Sequence, residues 1–525
     1  MRRRLIPAPV VGLVLLVLAW DLAVRLGFSG HGSVPGPAAV ARQFSVDGLG
    51  FYLGSALPTL QTAAVGWLIG NALAIVLAFL VVAVPAIERP VLSLGAVSYC
   101  LPLVAIGPVL VVTCSDGTPR IILSALSVFF VTLVSSVAGL RSVGRALLDL
   151  LRAFGGGSLA QLREARWPAA LPHLFAALRI GAPAAILGSI VGEFLGAERG
   201  LGVVLINAQQ AMNYPRIWAI AFFTTGLAGA AYLLIGAIGS LLTPWARETH
   251  ANLAGATAER RPGRSRLVSA AQAAGAAGLS VAAILALWDG LLHAFHVSTF
   301  IGKTPREVWG YVFDPSAGAD NRAALAQESW VTLRDAGVGL AAGTAAAVVL
   351  ALLFNLAPTL RRLFMGPALA LQSVPLVALT PLIVLVFGRQ LGGVAVIGGV
   401  VTFFPTLVNV TLALERTPRD TVDLMTVFGA SRLDTLRTVQ IPAALPALFA
   451  SLRIAAPLAV TGAMLAEWLA TGGGLGYSIA SDVATSDYDA LWARVALATF
   501  FSLIVYQLIR SAERAALDRI FSSSS

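Results

Sequence analysis

Apolar runs long enough to cross a bilayer recur along the whole sequence, and they leave few ways to fold it. A helix crossing about 30 Å of hydrocarbon needs about 20 largely apolar residues. Such stretches fall at 8–27, 57–84, 91–113, 120–140, 175–195 and 217–242. A second set falls at 270–293, 330–356, 366–387, 391–414, 449–470 and 490–509. Of 525 residues, 57% are hydrophobic and 12% charged, too polar-poor for the surface of a soluble protein of this size. Lipid forces every backbone polar group to be satisfied within the chain, so the sequence predicts an all-α polytopic membrane protein with about 12 transmembrane helices, six plus six. The first run is read as a retained helix rather than a cleaved leader, because no small-x-small cleavage site follows it.

The charges orient these spans. Net charge is +10, and Lys303 is the only lysine among 36 basic residues. With Arg2, Arg3 and Arg4 inside, the even-numbered loops return to the cytoplasm and collect most of the arginines, including Arg141, Arg145, Arg152, Arg163 and Arg166 in the first half and Arg416, Arg419, Arg432 and Arg437 in the second. That bias predicts cytoplasmic termini and reads the basic surplus as a topology signal, not as a nucleic-acid surface. The polar, basic stretch 251–269, "ANLAGATAERRPGRSRLVS", reads as a cytoplasmic linker between a first domain, 1–250, and a second, 270–525. Its arginines are placed to rest on lipid headgroups.

The two halves repeat each other. At an offset of 274, residues 152–183 and 426–457 align without gaps and share 18 of 32 positions. At 273, "PTLQTAAVGWLIG" (58–70) answers "VTLRDAGVGLAAG" (331–343), sharing Thr59/Thr332, Gly66/Gly339 and Gly70/Gly343. Each half crosses an even number of times, so the copies run parallel about an axis along the membrane normal. The best-repeated element lies mainly in the cytoplasmic loop between the fourth and fifth spans. There Leu159, Leu162 and Trp167 fit a short amphipathic helix, preceded by Gly155 and followed by Pro168 and Pro172. The second copy has Leu433, Leu436 and Ile441, with Gly429, Pro442 and Pro446. Glycine permits a turn and proline restricts its own φ and the residue before it, so the pattern predicts a short helix held rigidly at the membrane surface, fitted to a partner.

At these residues the sequence resembles the permease subunits of binding-protein-dependent ABC importers. Gly155 and Gly429 match the glycine of that family's cytoplasmic signature, and "RWP" (166–168) and "QIP" (440–442) fall where it reads Ile-x-Leu-Pro. The signature's leading Glu-Ala-Ala is replaced by "LLR" (150–152) and "LMT" (424–426). The downstream "LRIGAP…GEFLGAERGLG" and "LRIAAP…AEWLATGGGLG", and "LQSVPLVALTPLIVLVFG" (371–388), resemble the nitrate, sulfonate, taurine and thiamine-precursor branch. The resemblance implies two tandem six-helix type I permease domains fused in one chain of an inner-membrane importer. It further implies two cytoplasmic ATPase subunits docked on the paired loops, ATP and Mg on those partners, an external solute-binding protein, and one copy of this chain per complex. It points to a small anionic or heteroaromatic solute, imported by alternating access.

Several other residues bear on that reading. Glu193 and Glu467 occupy equivalent places near the outer end of the fifth span. An acid near apolar depth is costly unless paired or wet, so they read either as translocation-path or gate residues or as helix-end carboxylates in water. Asp21 and Asp335 read as span-end acids facing water. Arg179 and Arg453 read as side chains that snorkel or brace the loop. The "GLG" triplets at 200–202 and 474–476 read as an outer turn, a short re-entrant break or a plain loop. "VSTFIGKT" (297–304) ends like a phosphate-binding loop, but Val297 stands where its first glycine belongs. No catalytic or metal cluster is evident, and Cys100 and Cys114 read as packing residues. The alternative class is an ion-gradient-driven secondary transporter, in which intramembrane acids would couple the ion.

Overall fold

Apolar segments that must bond internally can only be helical in lipid. The computed structural model describes residues 8–27, 34–114, 117–245, 266–372 and 376–522, and all regular structure among them is helical. The first repeat comprises α1 (Ala8–Arg25), α2 (Pro37–Ala83), α3 (Glu88–Cys100), α4 (Leu103–Thr113) and α5 (Thr118–Arg141). It continues with α6 (Arg145–Ala153), α7 (Ser158–Phe194), α8 (Leu201–Gln210) and α9 (Tyr214–Leu242). The second repeat comprises α10 (Arg266–Ala294), α11 (Pro305–Phe313), α12 (Gly318–Leu356), α13 (Pro358–Leu371) and α14 (Leu376–Phe387). It ends with α15 (Leu391–Glu415), α16 (Arg419–Val427), α17 (Arg432–Thr471), α18 (Leu475–Thr485) and α19 (Tyr488–Ser522). Every helix of the first repeat has a counterpart in the second; α11 answers the start of α2, which breaks from the remainder at Gly48 (φ 73°, ψ 152°).

Among the described residues nine helices are long and apolar enough to cross a membrane, or ten if the bent pair α3–α4 crosses as one. The difference from twelve has a local cause. The expected span 91–113 is two helices meeting at 92°. Pro102 disfavours helical geometry at the residue before it, and Leu101 sits extended at φ −71°, ψ 111°. The expected span 366–387 is likewise divided between α13 and α14, with 373–375 outside the described residues. Of the expected span 270–293, only Val281–Ala294 stands as a described apolar helix, and it is short. Residues 251–265 of the linker and Arg2, Arg3 and Arg4 lie outside the described residues, while 266–269 already belong to α10.

In each repeat the core is a sandwich of three helices: α5 between α2 and α7, and α15 between α12 and α17. The recurring glycines set its spacing. A Cβ on Gly70 would lie 2.5 Å from the Ala125 carbonyl, and one on Gly343 would lie 2.3 Å from the Gly399 carbonyl. Small residues four apart let backbones approach this closely, which is how membrane helices gain packing energy without a hydrophobic drive. The repeats also exchange parts: α1 packs on α13, and reciprocally α10 packs on α3. From α4, Ala105 and Val109 enter the core of the second repeat beside Ala459, Met464 and Leu491.

Ion pairs tie the ends of this sandwich. Arg141 on α5 pairs with Glu88 on α3, while the equivalent helices of the second repeat carry Glu415 and Arg361. The contact is kept and its signs are exchanged. At the other end Arg494 on α19 holds both Asp482 oxygens at 2.6 Å and Glu328 at 2.7 and 3.0 Å. In the first repeat a different position of the corresponding helix takes this role: Arg216 pairs with Asp47, which also accepts from Tyr52 and Gln43. Removing one member of a buried pair strands the other charge at a cost of about 3–5 kcal/mol. Arg494→Met strands two carboxylates and is expected to lower the thermal midpoint in detergent clearly. Arg216→Met is expected to lower it less, since Asp47 keeps two other donors; equal shifts would contradict this account.

Candidate functional site: paired loops and buried carboxylate clasps

Both loops that the sequence singles out close with the same helix cap. At the end of α6, Gly155 adopts φ 81°; at the end of α16, Gly429 adopts φ 74°. The Gly155 N–H donates to the Arg152 carbonyl (2.9 Å) and the Gly156 N–H to Leu151 (2.8 Å). In the second copy Gly429 donates to Thr426 (3.0 Å) and Ala430 to Met425 (3.0 Å). This pair of bonds satisfies the last carbonyls of a helix only if a residue turns left-handed, which favours glycine. No atom lies within 4 Å of a Cβ built on either glycine, so backbone conformation alone accounts for the residue.

After the cap each chain re-enters helix and continues without a break into the long α7 or α17. The prolines that follow the short loop helix in sequence do not interrupt it. Pro168 and Pro172 lie inside Ser158–Phe194, and Pro442 and Pro446 inside Arg432–Thr471. A π-helical turn precedes the first proline in each copy, at Leu162–Arg166 and at Leu436–Gln440. Its extra residue takes up the clash that a proline ring makes with the preceding turn. Each loop is thus the near end of one continuous helix, 37 residues in α7 and 40 in α17, about 55–60 Å long.

The side chains picked out in the loops divide into two sets. Leu162 packs against the core of α2 and α5, and the Trp167 ring lies 5.3 Å from that of Phe79. Leu436 and Ile441 enter the matching core with Ala347 and Leu407. These four anchor the loops inward. Leu159 and Leu433 instead face outward, beside Leu150 and Leu424 on the preceding helices. The most exposed apolar pair was not singled out from the sequence: Phe154 (84% exposed) and Phe428 (78%), each next to its cap glycine. Their identity in the two copies was the available signal.

At the far ends of α7 and α17 stands a second repeated constellation. Glu193 and Glu467 are completely buried, not in water. Glu193 Oε2 accepts from the Gly202 N–H at 2.8 Å, and the Leu201 N–H donates to Thr59 Oγ1 at 2.9 Å. The second copy repeats this: Gly476 N–H to Glu467 Oε2 at 2.8 Å, and Leu475 N–H to Thr332 Oγ1 at 3.0 Å. Thr332 also donates to Glu467 Oε2 at 3.0 Å. Each carboxylate therefore sits on the first turn of α8 or α18, where unsatisfied N–H groups and the helix dipole favour negative charge. Among the described residues one oxygen of each acid, Oε1, has no hydrogen-bond partner. The first glycine of each GLG triplet makes room: a Cβ on Gly200 would come within 2.2 Å of the Glu193 carboxyl carbon, and one on Gly474 within 2.4 Å of that of Glu467. Thr59, Glu193 and the triplet, widely separated in sequence, thus form one clasp joining α2, α7 and α8.

Other singled-out residues take structural places. The Arg179 guanidinium lies 3.9 Å over the Tyr232 ring, and Arg453 pairs with Glu513 at 3.4 Å, so both brace the last span of their repeat rather than the loop. Asp335 is buried and pairs with Arg334, whereas Asp21 pairs with Arg25. Thr304 caps α11 in a capping box with Glu307, and Lys303 pairs with Asp489, which occupies the phosphate-loop-like string with local structure. Cys100 is buried and Cys114 partly so. Among the described residues no group of three His, Cys, Asp or Glu side chains could hold a metal.

Comparison with known proteins matches this duplicated arrangement. The model of the family described as binding-protein-dependent transport system inner membrane component matches twice, at residues 70–248 and 339–520. A probable ABC transporter permease protein of Haemophilus influenzae is 30% identical over 234 residues, 44% of this chain and 94% of that protein. The riboflavin transport system permease protein RibX of Chloroflexus aurantiacus is 38% identical over 153 residues, 29% of this chain and 56% of that protein. The formylaminopyrimidine transport permease protein ThiX of Halalkalibacterium halodurans is 30% identical over 182 residues, 35% of this chain and 73% of that protein.

The clasps make a direct prediction about glycine. Gly474→Ala forces a side chain into a left-handed position, at about 1–2 kcal/mol, and drives its Cβ into the Glu467 carboxyl. It is expected to lower the thermal midpoint by several degrees. Gly473→Ala, whose Cβ meets nothing within 4 Å, is expected to leave it unchanged. A neutral Gly474→Ala would contradict the clasp geometry.

Proposed function

The chain belongs to the family of binding-protein-dependent transport system inner membrane components, and on that premise we propose that it is a fused permease pair of an ATP-driven ABC importer. Its coarse role is that of an ABC-importer-type permease, a multi-pass inner-membrane protein with an internal duplication. In this reading residues 1–250 and 270–525 are two six-helix domains joined through 251–269. The twelve spans are completed by α10 and by the broken pairs α3–α4 and α13–α14. Both termini are cytoplasmic, as the arginine bias requires.

Each loop docks one cytoplasmic ATPase subunit. The observation that carries this is the exposure of Phe154 and Phe428, with Leu159 and Leu433, at glycine-capped turns that lead into helices long and apolar enough to cross a membrane. An exposed aromatic on a stiff mount gives a partner both an anchor and a lever. Gly155 and Gly429 shape the turn, Leu162, Trp167, Leu436 and Ile441 fasten it to the bundle, and Pro168, Pro172, Pro442 and Pro446 stiffen the join. ATP and Mg are handled by the partners, and this chain does no catalysis. An external binding protein delivers the solute, and one copy of the chain serves one complex. Glu193 and Glu467 act at the gate through their clasps. Two relatives carry nitrogen heterocycles by name, so a small heteroaromatic solute is the substrate class we assign.

Docking is tested by capture from native membranes. Phe154→Ser combined with Phe428→Ser is expected to reduce the co-purified ATPase at least tenfold, matching loss of more than about 1.4 kcal/mol, with an unchanged thermal midpoint. Each single variant is expected to retain one ATPase site. Undiminished ATPase in the double variant would refute the assignment of the loops.

A further inference from the structure

The residue after each clasp glutamate points the same way in both copies, and the two meet. Phe194 and Trp468 stand at equivalent positions of the repeat, 274 residues apart. Their ring centroids lie 5.5 Å apart with an interplanar angle of 83°. Among the described residues this is the one ring pair that joins the two repeats. Around it lie Val104 and Val191 from the first repeat and Leu376 and Leu465 from the second, one wholly apolar cluster. Val191 and Leu465 are themselves equivalent positions. A contact between equivalent residues must lie on the pseudo-two-fold axis relating the repeats, which is the only line along which a solute can pass between them symmetrically.

We propose that Phe194 and Trp468, packed edge to face on the pseudo-two-fold axis and flanked by Val191 and Leu465, are the external seal of the translocation path, held in register by the Glu193 and Glu467 clasps. An apolar constriction excludes water and polar solutes without a covalent or ionic barrier. The clasps fix the positions of the rings, because each glutamate immediately precedes its ring and is bonded to the first turn of the next helix. The path opens when the far ends of α7 and α17 separate and carry the rings apart.

The asymmetry of the pair follows from divergence of the two copies. In an edge-to-face contact one ring gives its edge and the other its face, while residues related by an exact two-fold are equivalent and cannot take both roles. Two separate identical permeases could not build this contact symmetrically. A duplicated chain can place phenylalanine on one side and tryptophan on the other.

The ATP arm of the test rests on the importer reading; its resting arm does not. Cys100 and Cys114 are replaced by alanine, and Thr461→Cys supplies a reporter two turns inward of Trp468 on the same helix face. A membrane-impermeant maleimide is applied from outside. Labelling is expected to be slow in the intact seal, roughly tenfold faster with Phe194→Ala and Trp468→Ala together, and slow again with Phe194→Leu and Trp468→Leu, which keep apolar bulk. Equal labelling in the intact and alanine chains, or fast labelling in the intact chain, overturns the seal. In the complex with its ATPase, trapping with ATP and vanadate is expected to speed labelling of the intact chain. No change there overturns the pair as a moving gate and leaves it a static brace. If no ATPase is captured, the importer reading fails by itself while the resting comparison still decides the seal.

Discussion

Two fully buried carboxylates, each bonded to the first turn of a helix, tie together one end of the helical bundle. A carboxylate in an apolar bundle is tolerable only where donors and a favourable field meet it. Glu193 and Glu467 find both at the start of α8 and α18, with Thr59 and Thr332 completing the site from α2 and α12. Because those donors are backbone N–H groups, each acid fixes where a helix begins. Each acid also lies near the end of its long helix, one residue before the end of α7 and four before the end of α17, and immediately precedes an aromatic ring. Three helices are thereby tied at one point in each repeat. The second oxygen of each acid has no partner among the described residues, which adds to the cost of burying the clasp.

At the other end of the same rods the constraint is conformational. Gly155 and Gly429 close a helix in a way few other residues permit, and the π-turns let prolines sit inside a continuous helix. The result is one continuous helix from the loop to the buried clasp, with the exposed aromatic on the glycine-capped turn that precedes it. Each loop helix and the far end of the same span therefore belong to one continuous element.

Much of this was legible in the sequence, though unevenly. Apolar length gave the class, the offset of 274 gave the duplication, and the recurring Gly, Leu and Pro positions led to the loops. Thr59/Thr332, Glu193/Glu467 and the GLG triplets were each visible as repeats, but their union in one clasp was not, since three-helix contact at a helix terminus leaves no local periodicity. The bend at Leu101–Pro102 was hidden by the continuous hydropathy of 91–113. The loop aromatics escaped because exposure cannot be read from an apolar letter. Glu88–Arg141 and Arg361–Glu415 show the opposite limit: an aligned comparison scores two mismatches where the structure keeps one interaction.

Duplication in one chain then explains what the fold does with its copies. α1 packs on the second repeat and α10 on the first, so each repeat covers part of the other, while Phe194 and Trp468 show that equivalent positions have diverged. Both loops remain intact, so both are expected to be occupied. The most direct measurement is the native mass of the complex captured from its own membranes in mild detergent. The account predicts one copy of this chain carrying two ATPase subunits. An intact, transport-competent chain that carries none would contradict it.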